Sequence, residues 1–129
     1  MVRRILLVDD EVAFLLPMKK MLRGPYLEVD TAETFDKAVE LLDRVQYDAV
    51  VADVRLGGAL SREGLAILDL VRKRETATKV IIMTGYGGPD VMKEAYDLRA
   101  DCYFEKPVSV KTLSDALGRL GVLEHDAVR

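Results

Sequence analysis

Two adjacent aspartates, Asp9 and Asp10, end the first aliphatic run of the chain, and a third, Asp53, ends another run far downstream. Thr84 follows a later aliphatic run and Lys106 the last one. A carboxylate nucleophile, a hydroxyl donor and an ammonium group suit phosphoryl transfer, which depends on in-line positioning and on neutralising oxygen charge. Three carboxylates gathered in one place repel one another and raise at least one pKa. A divalent cation relieves that repulsion. With only oxygen ligands and no His or Cys nearby, Mg2+ is favoured over zinc, and Mg2+ keeps waters and readily shares its shell with a phosphate. Each residue also has a plainer reading. Asp9-Asp10 can be a solvated turn, Asp53 a helix cap, Thr84 the start of the Gly85–Gly88 loop, and Lys106 an ordinary surface lysine. The choice turns on whether the fold brings them together.

The elements that would do so are legible. Ile5-Leu6-Leu7-Val8, Ala49-Val50-Val51-Ala52, Val80-Ile81-Ile82-Met83 and the weaker Cys102-Tyr103-Phe104 are continuous apolar runs. Continuous runs are how strands read when both faces of a parallel sheet are covered. Tyr26-Leu27-Glu28-Val29 alternates and reads as an edge strand. Between the runs lie apolar stripes at helical spacing: Phe14, Met18, Met21 and Leu22; Phe35, Ala38, Val39 and Leu42; Leu65, Leu68 and Val71; Val91, Ala95 and Leu98; Leu113, Ala116, Leu117 and Leu120. Thr34, Ser61 and Ser109 are suitable N-caps, Pro89 suits a first helical position, and Gly24-Pro25 closes the first helix.

Strand and helix therefore alternate through five units. Right-handed crossovers imply an α/β fold with a parallel five-stranded sheet and helices on both faces, and five units in one small domain suit a flavodoxin-like doubly wound (βα)5 arrangement of order 2-1-3-4-5. A (β/α)8 barrel would need about 250 residues. In an open parallel sheet, sites form beyond the carboxyl ends of the strands where the strand order reverses, here between the first and third strands. Asp9, Asp10, Asp53, Thr84 and Lys106 all fall at that end. Their shared location outweighs the plainer readings.

Bulk properties narrow the function class. The chain has 129 residues, one domain's worth, and is half hydrophobic with few aromatics and no tryptophan. A net charge of −3 argues against direct nucleic-acid binding, which needs a basic face. The apolar run after Arg3-Arg4 ends at once in Asp9-Asp10, too short for a signal core, and no run is long enough for a membrane span. A cytoplasmic protein is the default expectation. Cys102 is the sole cysteine, which excludes an internal disulfide and suits a small buried apolar side chain.

The motifs Leu7-Val8-Asp9-Asp10-Glu11, Val50-Val51-Ala52-Asp53, Ile82-Met83-Thr84-Gly85-Tyr86-Gly87 and Phe104-Glu105-Lys106-Pro107 together resemble the receiver domain of bacterial two-component response regulators. The resemblance covers about Arg3 to Leu120 and places a receiver domain at 1–123 with a polar tail at 124–129. It implies a signalling switch rather than a metabolic enzyme, with self-catalysed phosphorylation and dephosphorylation as its only activity. Asp53 would take a phosphoryl group from a sensor histidine kinase or a phosphotransfer protein. Asp10, Asp53 and the Arg55 backbone carbonyl would bind Mg2+, and Asp9 would act through a metal-bound water. Thr84 and Lys106 would hold phosphoryl oxygens, the bond before Pro107 would be cis, and Tyr103 would swing inward as Thr84 moves. The fourth helix, fifth strand and fifth helix would face a downstream protein or an effector domain outside this chain, or form a phosphorylation-dependent homodimer. No effector domain follows Leu123, which fits a stand-alone regulator or part of a longer protein.

Some features depart from the family pattern. The stretch from Arg55 to Gly64 is longer than in many members and holds Gly57-Gly58; Pro17 falls inside the first helical stripe, where it should kink the helix or delay its start; and Arg99 stands where a glycine is usual, so a left-handed backbone is expected there. Two other readings compete. One is a phosphorylation-independent binding module. The other is a Mg2+-dependent aspartyl phosphatase of the haloacid-dehalogenase type, whose Asp-x-Asp motif on the first strand is absent here.

Overall fold

The computed structural model describes residues 2–22, 24–58, 61–74 and 77–123. Five strands alternate with five helices: β1 (Arg3–Val8), α1 (Val12–Met21), β2 (Leu27–Ala32), α2 (Phe35–Arg44), β3 (Ala49–Asp53), α3 (Glu63–Arg74), β4 (Lys79–Thr84), α4 (Pro89–Asp97), β5 (Cys102–Glu105) and α5 (Val110–Arg119). The strands form one parallel sheet of order β2-β1-β3-β4-β5, as the alternation predicts. The polar tail expected over 124–129 lies outside the described residues.

Successive strand residues serve opposite faces, which is why the central runs are continuously apolar. Leu6, Val8, Val50, Ala52, Val80 and Ile82 pack under α2, α3 and α4. Ile5, Leu7, Ala49, Val51, Ile81 and Met83 pack under α1 and α5. Burying each large aliphatic side chain contributes about 1.5–3 kcal/mol, and the two layers hold the strand ends in fixed register.

Departures from expectation have local causes. β2 starts one residue later than the alternating run and continues to Ala32, because its pairing with β1 runs from Arg3↔Leu27 to Val8↔Ala32. Met21 is exposed and Leu15 is buried in its place, a rotation of the α1 stripe toward Phe14, Leu15, Met18 and Leu22. Pro17 neither delays nor ends α1. It lies on the solvent side with Ala13, so water can reach the Ala13 carbonyl that the missing Pro17 N–H leaves without its helical donor. Thr34 and Ser109 cap α2 and α5 by accepting from the Lys37 and Thr112 N–H groups. Ser61 sits two residues ahead of α3 rather than at its cap, and its Oγ accepts from Glu63 N at 3.2 Å. Arg99 has φ 70°, and the adjoining Ala100 N–H returns to Ala95 O at 3.0 Å, closing α4. Cys102 is half-buried rather than fully buried, and burial pushes its thiol pKa up.

Candidate functional site

Register alone assembles the site. Val8 pairs with Ala52, so the next residues on the two chains, Asp9 and Asp53, are neighbours. Asp53 pairs with Met83, placing Thr84 one step further out on β4. Thr84 pairs with Glu105, and Lys106 N donates to Thr84 O at 2.9 Å. Asp9, Asp10, Asp53, Thr84 and Lys106 thus meet at the carboxyl edge of the sheet, where the strand order reverses.

The geometry is that of a lysine ringed by carboxylates. Lys106 Nζ donates to Asp9 Oδ2 at 2.5 Å, Glu11 Oε1 at 3.0 Å and Asp53 Oδ2 at 3.3 Å. It also stands 5.1 Å from the centre of the Phe14 ring, a cation–π contact. Asp9 is 0 % and Asp53 5 % exposed. Asp9 Oδ1 accepts from Glu11 N at 2.9 Å, and Asp53 Oδ1 accepts from Arg55 N at 3.3 Å. Burial pushes the Asp9 carboxyl above the usual range despite Lys106 and the Glu11 N–H. Burial does the same to Asp53, with Lys106 and the Arg55 N–H opposing and Asp10 adding to the rise. Burial alone would lower the Lys106 pKa, but its hydrogen bonds to Asp9 and Glu11 outweigh that and raise it. One ammonium therefore does not neutralise its surroundings.

Oxygen atoms of Asp9, Asp10, Glu11 and Asp53 all lie within 4.8 Å of one another. Asp10 and Glu11 are exposed, so the cluster opens to solvent. An all-oxygen, carboxylate-rich set with an open side fits a hard divalent cation that retains water.

Two glycines let backbone and side chains approach the site. A Cβ on Gly64 would overlap the Asp53 carbonyl oxygen, and Gly64 N donates to Val54 O at 3.0 Å, so α3 starts directly against the strand that carries Asp53. A Cβ on Gly87 would overlap the Tyr103 hydroxyl and crowd the Thr84 methyl. Tyr103 therefore reaches inward over Gly87 and packs against the core under α4. The Gly88 backbone approaches its hydroxyl without completing a hydrogen bond. Burial, with Glu105 adding to it, raises the Tyr103 pKa. Thr84 Oγ1 accepts from Tyr86 N at 3.1 Å. The Lys106–Pro107 bond is cis.

Arg55 extends across the mouth, where Nη2 donates to Tyr86 O at 2.7 Å and ties the loop after β3 to the loop after β4. Beyond the mouth, Arg62 of the same loop pairs with Glu94 of α4 at 2.7 Å. Glu11 belongs to the first motif, yet sequence reasoning gave it no role. The signal was available: a third acid follows two others beside a lysine-bearing edge. The reach of Arg55 and Arg62 carried no sequence signal, because their partners are distant in the chain.

Comparison with known proteins finds relatives in sequence and in fold. The family model described as the response regulator receiver domain matches residues 5–118. The photosynthetic apparatus regulatory protein RegA of Rhodobacter capsulatus is 27% identical over 115 residues, covering 89% of this chain and 61% of that protein. The chain thus spans less than two thirds of RegA. Sporulation initiation phosphotransferase F of Bacillus subtilis (strain 168) is 26% identical over 114 residues, covering 88% of this chain and 90% of that protein. Among solved structures, a CheY-like response regulator receiver domain protein from Methanospirillum hungatei JF-1 superimposes with a TM-score of 0.84 at 25% identity, covering 94% of this chain and 95% of that one. Among the described residues, no helix is long and apolar enough to cross a membrane.

Proposed function

Because the chain belongs to the response-regulator receiver domain family, whose members signal by phosphorylation and are not classical enzymes, we propose that residues 1–123 form the switch and that Asp53 is its phospho-acceptor. The observation that supports this most is the Asp53 carboxylate itself. It is nearly buried, its pKa is raised, and it lies within hydrogen-bonding reach of Lys106 at the rim of a four-carboxylate cluster.

An Asp53 oxygen attacks the phosphorus of a phosphohistidine on a sensor kinase or phosphotransfer protein. The O–P bond forms as the P–N bond breaks, and the departing imidazole takes a proton from solvent. Asp10, Asp53 and the Arg55 carbonyl would hold Mg2+, with Asp9 acting through a bound water. The ion would supply charge neutralisation for the phosphoryl oxygens. Lys106 pairs with one phosphoryl oxygen, and the Thr84 hydroxyl turns from the Tyr86 N–H to donate to another. Thr84 and Tyr103 pack together over Gly87, so a move of Thr84 alters the room available to Tyr103 and biases two packings of α4, β5 and α5. That face would meet a downstream protein, an effector domain or a second copy of the chain. A cytoplasmic setting suits such a partner set.

Incubation with acetyl phosphate and Mg2+ tests the reading by intact mass. The wild type should gain about 80 Da, one phosphoryl group, and Asp53→Asn should not. Absence of both an adduct and beryllofluoride binding overturns it. Sustained turnover of unrelated phosphomonoesters would point to a phosphatase instead.

A further inference from the structure

Lys106 has three ammonium protons and three carboxylate acceptors, so it enters the unphosphorylated state fully occupied. The three acceptors are not equivalent. Asp9 is 0 % exposed, and its other oxygen already accepts from Glu11 N. Losing Lys106 would leave a buried carboxylate without a counter-charge, which is strongly unfavourable. Asp53 is the group to be phosphorylated, and on phosphorylation its charge moves outward onto the phosphoryl oxygens. The Glu11 side chain is 63% exposed, so water can replace Lys106 at its carboxylate with little penalty.

Glu11 also lies close to the acceptor carboxylate. Its ligand oxygen lies within 4.8 Å of one on Asp53, and two negative groups that close repel even in a partly solvated site. Competition for Lys106 and repulsion of the phosphoryl oxygens act in the same direction.

We infer that Glu11 is a restraining positioning residue: it holds the Lys106 ammonium in the resting state and opposes the phosphoryl group that must take its place. This rests on Asp53 being the acceptor. Its role is opposite in sign to those of the groups around it. Lys106 and Thr84 favour the phosphorylated state, whereas Glu11 raises the threshold for reaching it. The site therefore carries its own brake, one charge wide and open to solvent.

The test compares wild type, Glu11→Gln and Glu11→Asp at saturating Mg2+, after each variant's Mg2+ affinity has been titrated separately. The rate of acetyl-phosphate adduct formation and the beryllofluoride Kd are both measured. Gln keeps the shape and removes the charge, so phosphorylation should quicken and beryllofluoride should bind tighter, each by about fivefold, the scale of one partly screened charge. The gain should shrink as salt is raised, because the Debye length falls from about 30 Å at 0.01 M to about 10 Å at 0.1 M. Asp keeps the charge on a side chain one methylene shorter and should gain less than Gln; a gain equal to that of Gln would assign the effect to side-chain length rather than charge and overturn the inference. A Glu11→Gln variant that is unchanged or slower at saturating Mg2+ overturns the inference, since Glu11 would then be neutral or would align Lys106 productively. A wild type that forms no adduct instead removes the premise about Asp53, so the two failures are distinguishable.

Discussion

At the amino end of the sheet, the Arg72 side chain is 6% exposed and every nitrogen of its guanidinium is engaged. Nε donates to Arg99 O at 2.9 Å, Nη1 to Thr78 O at 2.5 Å and Nη2 to Asp101 Oδ2 at 2.7 Å. The same Asp101 oxygen accepts from Val80 N at 2.8 Å. At the carboxyl end, the Lys106 side chain is 13% exposed and faces Asp9, Glu11 and Asp53, with Asp10 in the same cluster. The first cluster is balanced, one cation to one anion, and its fork of donors matches fixed carbonyls. The second carries surplus negative charge, and burial raises the pKa of both its inner carboxyls. One pins β4, β5 and the end of α3 together. The other holds unrelieved repulsion on a side open to solvent. Both clusters bury charge, but only the second combines an imbalance of charge with such an opening.

Arg72→Ala should produce the largest change. It strands Asp101 and two carbonyls, and breaking such a buried network costs about 3–5 kcal/mol. Urea unfolding should show that loss, while the phosphorylation rate per folded molecule stays near wild type. Lys106→Ala should destabilise the metal-free protein by less, about 1–3 kcal/mol, because its site opens to water. Added Mg2+ should restore part of that stability and none of the loss after Arg72→Ala, read by unfolding with and without the metal.

Asp53→Asn should act in the opposite sense and stabilise the metal-free protein at pH 7, read as a higher urea midpoint than wild type. The sign follows from its raised folded-state pKa. The native state holds the Asp53 proton more tightly than the unfolded chain does, so the ionised carboxylate lowers stability above that pKa. As pH falls from 7 into the carboxylate range, protonation removes the same charge and the advantage of Asn should fade, as paired unfolding curves against pH would show. Asp101→Asn should destabilise at pH 7 instead; stabilisation there would erase the distinction between the two clusters. Glu94→Gln should have the smallest effect. It breaks the exposed Arg62–Glu94 pair, which is expected to contribute less than about 1 kcal/mol, measurable only as a slight shift of the unfolding midpoint.

Much of this was legible from residue order. Aliphatic runs with both faces covered read as parallel strands, and five strands alternating with helical stripes leave few topologies. Arg99 in place of glycine foretold the left-handed backbone, and the residues closing each strand named Asp9, Asp53 and Thr84. Other features were not legible. The α1 stripe is rotated because one sheet face and α5 jointly select Leu15 over Met21, and no local pattern encodes that choice.

Periodicity and strand punctuation are local properties of the chain, and they were enough to give a parallel sheet of five strands and the identity of the groups at its carboxyl edge, while the order was chosen as the one that five units in a small domain suit. How those groups are electrically disposed is a matter of tertiary structure. Lys106 reaches Asp9, 97 residues away, and Glu11, 95 away. Whether a charge is buried, balanced or left in surplus depends on distances between such remote residues and on the water excluded around them.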